Sequence, residues 1–382
     1  MTFSNSKNTV RTSSAALSRT LSKIGIGVFF ALSLQALPTQ AAPSTGVSFA
    51  TLQATASVIP VSSTEEQRAN QLANQGVQAF TAGDRTAAFN YWNQAMLLYR
   101  VADVPAKEAH MLENLSVIYR LTDRPAEAIN ASQQAVDIYT SLGTLDSQPS
   151  VFLNMGSAYR QDGQFDSAIA AYDNSLRLYR LTGDATGERI VLSLLADVHG
   201  ETGDYRASIA FQQQVLSIAQ RSNDVQIEAE ALSELGYAHF VLNEYDESID
   251  YFQQALPLFR AVGDRPGEAA VLNNMGRAAS LAEEFAIALR AYQQALTVFR
   301  ELNRPVQEAH LWVNVAQAHV NAGHTSEAIN AFQQAIELTE MIRQQQASNA
   351  LPARLEAAYR ELAVLLQQSD RATEATQVLD LI

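Results

Sequence analysis

Side chains able to do chemistry are sparse in this sequence, and their spacing decides what they are for. Six histidines stand at His110, His199, His239, His310, His319 and His324. No two have the His-x3-His or His-Glu-x2-His spacing that places imidazoles on one helical face around a metal. His199, His239 and His319 share one column of a 40-residue repeat. Three repeat steps of about 20 Å each put the outer two roughly 60 Å apart, so the three cannot share an ion. Half-buried packing is the expectation for them. The absence of cysteine removes disulfides, thiolate metal sites and a cysteine nucleophile. Asp84, Asp204, Asp264 and Asp370 fall in turns, where Asx chemistry accounts for them, and no paired carboxylate constellation is present. Phosphate-loop, dinucleotide-glycine and Gly-x-Ser-x-Gly patterns are absent as well. The expectation is a protein without catalytic chemistry, cofactor or metal.

Recognition is the chemistry that remains. Asn74, Asn114, Asn154, Asn274 and Asn314 occupy one column. Such carboxamides could form a ladder that hydrogen-bonds a bound peptide backbone, or each could satisfy a loop carbonyl inside its own repeat.

The elements that must position these groups repeat with a fixed period. Small residues at Ala88, Ala128, Ala168, Ser208, Ser248, Ala288 and Ala328 are spaced by 40. Twelve positions earlier stand Gly76, Ser116, Gly156, Ala196, Gly236, Gly276 and Ala316, again small. Four before those stand Leu72, Leu112, Phe152, Leu192, Leu232, Leu272 and Trp312, all large and apolar. Just after the first set stand Phe89, Ile129, Ile169, Ile209, Ile249, Leu289 and Ile329. Agreement in four columns over seven copies is the signature of a solenoid. Within a copy, apolar residues recur at spacings of three and four in two segments, so each copy is a pair of helices, A then B. Gly, Asn and Pro mark the turns, as in Gly163-Gln164, Gly203-Asp204, Gly263-Asp-Arg-Pro266 and Asn303-Arg-Pro305; these residues suit a left-handed C′ and a fixed φ at N1. The small columns let A and B approach closely, and the large ones fill the space between one pair and the next.

Composition agrees. The 382 residues are 47% hydrophobic and 17% charged, with a formal net charge of −14, enough apolar surface for a sizeable core. Residues 1–41 hold Lys7, Arg11, Arg19 and Lys23 and no acid. An apolar run of about 15 residues follows these cations, too short to span a bilayer, and small residues end at Ala41. This order reads as a secretory signal peptide. Its removal takes away four positive charges, bringing −14 to −18. So acidic a chain repels nucleic acid and anionic lipid, so the expected partner is a protein or peptide, reached in the periplasm or outside the cell. Residues 42–63, rich in Ser, Thr, Ala and Pro, read as a flexible tether.

The columns resemble the tetratricopeptide-repeat (TPR) family. Its Trp-x2-Leu-Gly-x2-Tyr…Ala-x3-Phe signature stands here as Phe152-x2-Met155-Gly156-x2-Tyr159…Ala168-x3-Tyr172 and as Trp312-x2-Val315-Ala316-x2-His319…Ala328-x3-Phe332. The period is 40, where the family norm is 34. The resemblance implies an all-α solenoid of helical hairpins wound as a right-handed superhelix, with seven repeats over 64–344, a partial eighth over 345–382 and about sixteen helices in total. It also implies that helix A lines a concave groove. Its stripe gives Phe80, Glu113, Arg120, Arg160, Asp197, Glu230, Tyr237, Phe240, Asn273, Arg277 and Gln317 as candidate partner contacts. No Lys-Asn-Asn-Lys-Arg clamp for a C-terminal carboxylate assembles from that stripe. In the eighth unit, Ala353–Leu366 followed by Ala375-Thr-Gln-Val-Leu-Asp-Leu resembles the stretch that precedes the caspase-like CHAT domain in cyanobacterial TPR proteins. That similarity implies, as an alternative, a regulatory arm or remnant of such a protease system. The last helix carries Val378, Leu379, Leu381 and Ile382, which predicts self-association or partner docking at that end.

Overall fold

A computed structural model describes residues 61–145, 148–346 and 353–381. The signal peptide expected over 1–41, the tether over 42–60 and most of the loop inserted around Gln344–Pro352 lie outside the described residues. Among the described residues there are sixteen α-helices and no strand. They are α1 Val61–Thr81, α2 Arg85–Val101, α3 Pro105–Leu121, α4 Pro125–Ser141, α5 Pro149–Gln161, α6 Phe165–Thr182, α7 Ala185–Thr202, α8 Tyr205–Ser222, α9 Val225–Val241, α10 Tyr245–Val262, α11 Arg265–Leu281, α12 Phe285–Glu301, α13 Pro305–Asn321, α14 Thr325–Gln346, α15 Ala353–Gln368 and α16 Ala372–Leu379. Helix α1 starts inside the stretch read as a tether, whose last three residues are therefore helical. The chain divides after Asp184 into two compact units. The first holds the hairpins α1–α2, α3–α4 and α5–α6; the second holds the five from α7–α8 to α15–α16.

Turn chemistry at the described turns sets where most helices stop and start. A backbone with positive φ recurs at Gly83, Asp103, Asp123, Gly143, Gly163, Gly183, Gly203, Asn223, Asn243, Gly263, Glu283, Asn303 and Gly323, one residue in every 20. At the first of these, Gly83 N–H donates to the Phe80 carbonyl at 3.0 Å and Asp84 N–H to the Ala79 carbonyl at 2.9 Å, the paired closure that satisfies the last carbonyls of a helix. The next residue already caps the following helix. Asp84, Asp204, Asp224 and Asp264 accept from the backbone N–H of Ala87, Ala207, Ile227 and Gly267, a bond worth about 1 kcal/mol each. Asp370 plays the other part: it takes the left-handed φ of 59° and caps nothing. Pro105, Pro125, Pro149 and Pro305 open helices, where the missing N–H costs no bond.

Each hairpin closes on the small column. A Cβ built on Gly276 would lie 2.5 Å from the Tyr292 ring, and Gly76, Gly156 and Gly236 are pressed as closely by Trp92, Tyr172 and Phe252. The glycine lets a helix B aromatic lie flat on helix A. In the second repeat both partners change together: Ser116 replaces the glycine and Ser132 the aromatic, and their hydroxyls meet at 2.7 Å. Successive hairpins are clipped by Arg100–Glu108, Arg260–Glu268 and Arg300–Glu308 at 2.6–2.7 Å, with Gln220–Glu228 at 3.0 Å in the same column. The arginine ends a helix B and the glutamate lies in the first turn of the next helix A, where the macrodipole favours a negative charge.

Candidate functional site

Successive A helices meet along seams, and hydrogen bonds fix their register. Lys107 Nζ donates to Asn70 at 3.0 Å and Ser150 Oγ to Glu113 at 3.0 Å, both with an offset of 37 residues. Positions 150, 154, 157 and 161 of α5 lie at helical spacing on one face. Along it Ser150 meets Glu113, and Gln161 donates to Asp123 at 2.9 Å. Lys107 also donates to Glu66, at an offset of 41, so a side chain on one A helix falls between two positions of the preceding one: Asn154 between Glu113 and Val117, and Asn114 between Ala73 and Val77. Glu113 is already held by Ser150, and the other three flanking residues are apolar. Asn154 is 1% exposed and neither its Oδ1 nor its Nδ2 has a hydrogen bond; Asn114 is 3% exposed and its Nδ2 has none. The loop-carbonyl role weighed for this column is not the one these two fill.

The second unit fills the same rungs differently. Asn314 Nδ2 donates to Asn273 at 2.8 Å. Asn274 lies 3.5 Å from Arg277 Nη1. In the fifth repeat the column holds Glu234, close enough to Asp197 to feel its charge. Glu234 reaches solvent, yet enough protein surrounds it that burial, with Asp197 and Glu230 adding repulsion, pushes its carboxyl up to about 7. Burial is also the main cause that raises Glu230, which accepts from Gln226 at 2.7 Å.

The sequence-derived stripe divides on inspection. Phe80 is half-buried and tilted against Trp92, ring centroids 5.4 Å apart, so it belongs to the core of the first unit. Glu113 is 1% exposed and offers nothing to solvent; Ser150, Tyr139 at 3.5 Å and His110 at 3.2 Å hold it. Phe240 is buried beneath Arg277, whose guanidinium sits 4.7 Å from the ring centroid, and Tyr237 stacks beside it at 6.4 Å. Arg120, Arg160, Asp197, Glu230, Tyr237, Asn273 and Arg277 are half-buried, and Gln317 is exposed with its amide on Asn321. Tyr237, Phe240 and Arg277 come together as one cluster. Glu234 was missed, although it stands in the asparagine column and departs from it. The histidines pack as expected: His199 stacks on Phe211 and His239 on Tyr251, the latter bonded to Glu244 at 2.7 Å. Burial lowers the His319 pKa. Among the described residues no group of three or more His, Asp or Glu could hold a metal ion. No helix among them is long and apolar enough to cross a membrane.

Models of the tetratricopeptide repeat match residues 147–221 and 228–301, and another matches 309–340; these segments are tetratricopeptide repeats. Solved structures with the fold include the apo quorum sensor NprR from B. thuringiensis, at TM-score 0.52 and 16% identity over 82% of this chain and 87% of that one. The apo form of RapI aligns at TM-score 0.52 and 13% identity, covering 72% of this chain and 99% of its own. The PH0952 protein of Pyrococcus horikoshii, a signal-transduction ATPase with a tetratricopeptide-repeat sensor, aligns at TM-score 0.57 and 13% identity over 76% of this chain, which spans 49% of that protein. No curated protein matches the chain by sequence.

Proposed function

We propose that the chain is a non-catalytic scaffold that holds an extended segment of another protein along the inner faces of its A helices, and that it does so after export. The observation that carries the reading is the pair of carboxamides Asn114 and Asn154 with no partner of their own. A buried amide without a hydrogen bond costs about 1–3 kcal/mol, and nearly all such groups in proteins find a partner. A peptide backbone supplies both a donor and an acceptor. Helices α3 and α5 are bonded directly, Ser150 to Glu113 at 3.0 Å. This repeat step is therefore about 8–10 Å, shorter than the roughly 20 Å expected from the sequence. That is close to the reach of three extended residues at about 3.3 Å each, so one strand can serve both rungs. Both groups are covered in the free chain, so binding includes a small displacement of the side chains above them. Export is supported by the four basic residues, short apolar run and small residues within 1–41. NprR is a quorum sensor and the repeats of PH0952 form a sensor; the fold therefore serves recognition in other proteins.

The test is an array of random dodecapeptides probed with the whole chain and with the N114L/N154L double variant. A bound subset that the double variant loses supports the reading. Equal binding by both, or no binding by either, overturns it. Fusion of residues 1–60 to a reporter active only outside the cytoplasm tests export, and an inactive fusion rejects it.

A further inference from the structure

One cation on the seam of the first unit lacks a counter-charge. Arg120, on the last turn of α3, forms no ion pair, and its Nε is enclosed without a hydrogen-bond partner. The group that favours its charge is the nearby Tyr172 hydroxyl, which itself donates to Ser157 at 3.2 Å. Burial lowers the guanidinium pKa. No carboxylate of α3 or α5 answers it. Helix α5 has no acidic residue. The two on α3 are Glu108, held by Arg100, and Glu113, held by Ser150 and Tyr139. Asp123, just past the helix end, accepts from Gln161. A partly desolvated charge without a partner is destabilising, and planar guanidinium matches a carboxylate in geometry as well as charge. Asn154, with its unpaired Nδ2, lies one turn before Ser157, about 5 Å along the axis.

We propose that the α3–α5 seam recognises a carboxylate on the bound peptide, with Arg120 pairing it and Asn154 Nδ2 donating beside it. This rests on the peptide-binding reading above and adds the ligand's charge to it. A seam built to hold backbone alone needs no guanidinium. In a chain of net charge −14, a free cation enclosed at a seam selects an acidic ligand locally against the field of the whole molecule.

The dodecapeptide array, made once with free C-termini and once amidated, tests this with the whole chain, R120Q and N154A. Enrichment of Asp or Glu among bound amidated peptides assigns the carboxylate to a side chain; enrichment confined to free C-termini assigns it to the chain end. Either is expected to fall roughly tenfold or more in R120Q, the equivalent of about 1.4 kcal/mol. If R120Q fails to fold, Asp→Asn or Glu→Gln exchange in the best peptide reads the same loss on the unaltered protein. Bound peptides without acidic preference, or R120Q selecting the same peptides at the same strength, overturn the proposal. Binding that depends on Asn154 and not on Arg120 rejects it while leaving the peptide reading intact, and an array with no bound peptide rejects both.

Discussion

The seam at α3–α5 and the seam at α11–α13 carry the same asparagine and reach opposite outcomes. In the first unit, Asn154 stays unpaired. In the second, Asn314 bonds Asn273 across the seam at 2.8 Å. The residue type is the same; the difference lies on the neighbouring helix, where the place of Asn273 is taken in α3 by Glu113, already bonded to Ser150. A repeat column conserves a position in space, and the partner at that position decides whether a side chain stabilises the fold or waits for a ligand. The second unit adds a third case in Glu234, whose carboxyl is pushed toward the protonated form by burial, with Asp197 and Glu230 adding repulsion.

Several substitutions would break or sharpen this contrast. The largest effect is expected from overpacking. Ala288 is fully buried between α11 and α12, and A288L should cost about 1–3 kcal/mol. Hydrogen exchange resolved by unit should show the loss in the second unit and leave α1–α6 unchanged. A uniform loss would mean that the units do not unfold separately. Next, Y237A with R277A should weaken binding of array-selected peptides that engage the second unit by ~2 kcal/mol while circular dichroism stays the same. Unchanged affinity would confine recognition to the first unit.

A smaller effect, with a change of sign, should come from the asparagines. N154L removes a buried amide that bonds nothing and is expected to raise stability by about 1 kcal/mol. N314L breaks a bond and should lower it by a similar amount. Denaturant midpoints of the two variants decide this, and shifts in the same direction would contradict the seam register. A stabilising loss at Asn154 combined with lost peptide binding is the trade expected where a group is kept for function.

The smallest effect concerns pH. Glu234 holds its proton up to about 7 in the folded chain, above the ordinary 4.5. Between those values the folded state binds more protons than the unfolded one, so stability of the second unit should fall as pH rises through that window. E234Q should flatten that dependence. An equal slope in both proteins, read by exchange at pH 5 and 8, would place the shift elsewhere.

The fold was legible because periodic columns report burial directly: Gly276 and Ala288 are small for the reason their columns imply. The site was legible only by stripe. Spacing within one helix identifies a face, but the pairing of successive A helices, at offsets of 37 to 41 residues, decides what each side chain meets, and no single-helix pattern contains that pairing. Glu113 was therefore read as a contact when Ser150 of the next repeat covers it. Glu234 was passed over because its neighbour Asp197 lies a repeat away. The arginine–glutamate clips went unseen for the same reason, since Arg260 and Glu268 belong to different hairpins.

The left-handed residue that recurs every 20 positions from Gly83 to Gly323 has a consequence for how such a chain can change length. It divides each repeat into two equal strides, one per helix. Gain or loss of a single stride would leave every turn in place yet exchange the roles of all later A and B helices, carrying the asparagine column and Arg277 onto helices in the B position. Gain or loss of two strides restores every seam partner. The array therefore has a parity, and its length can drift only in even steps.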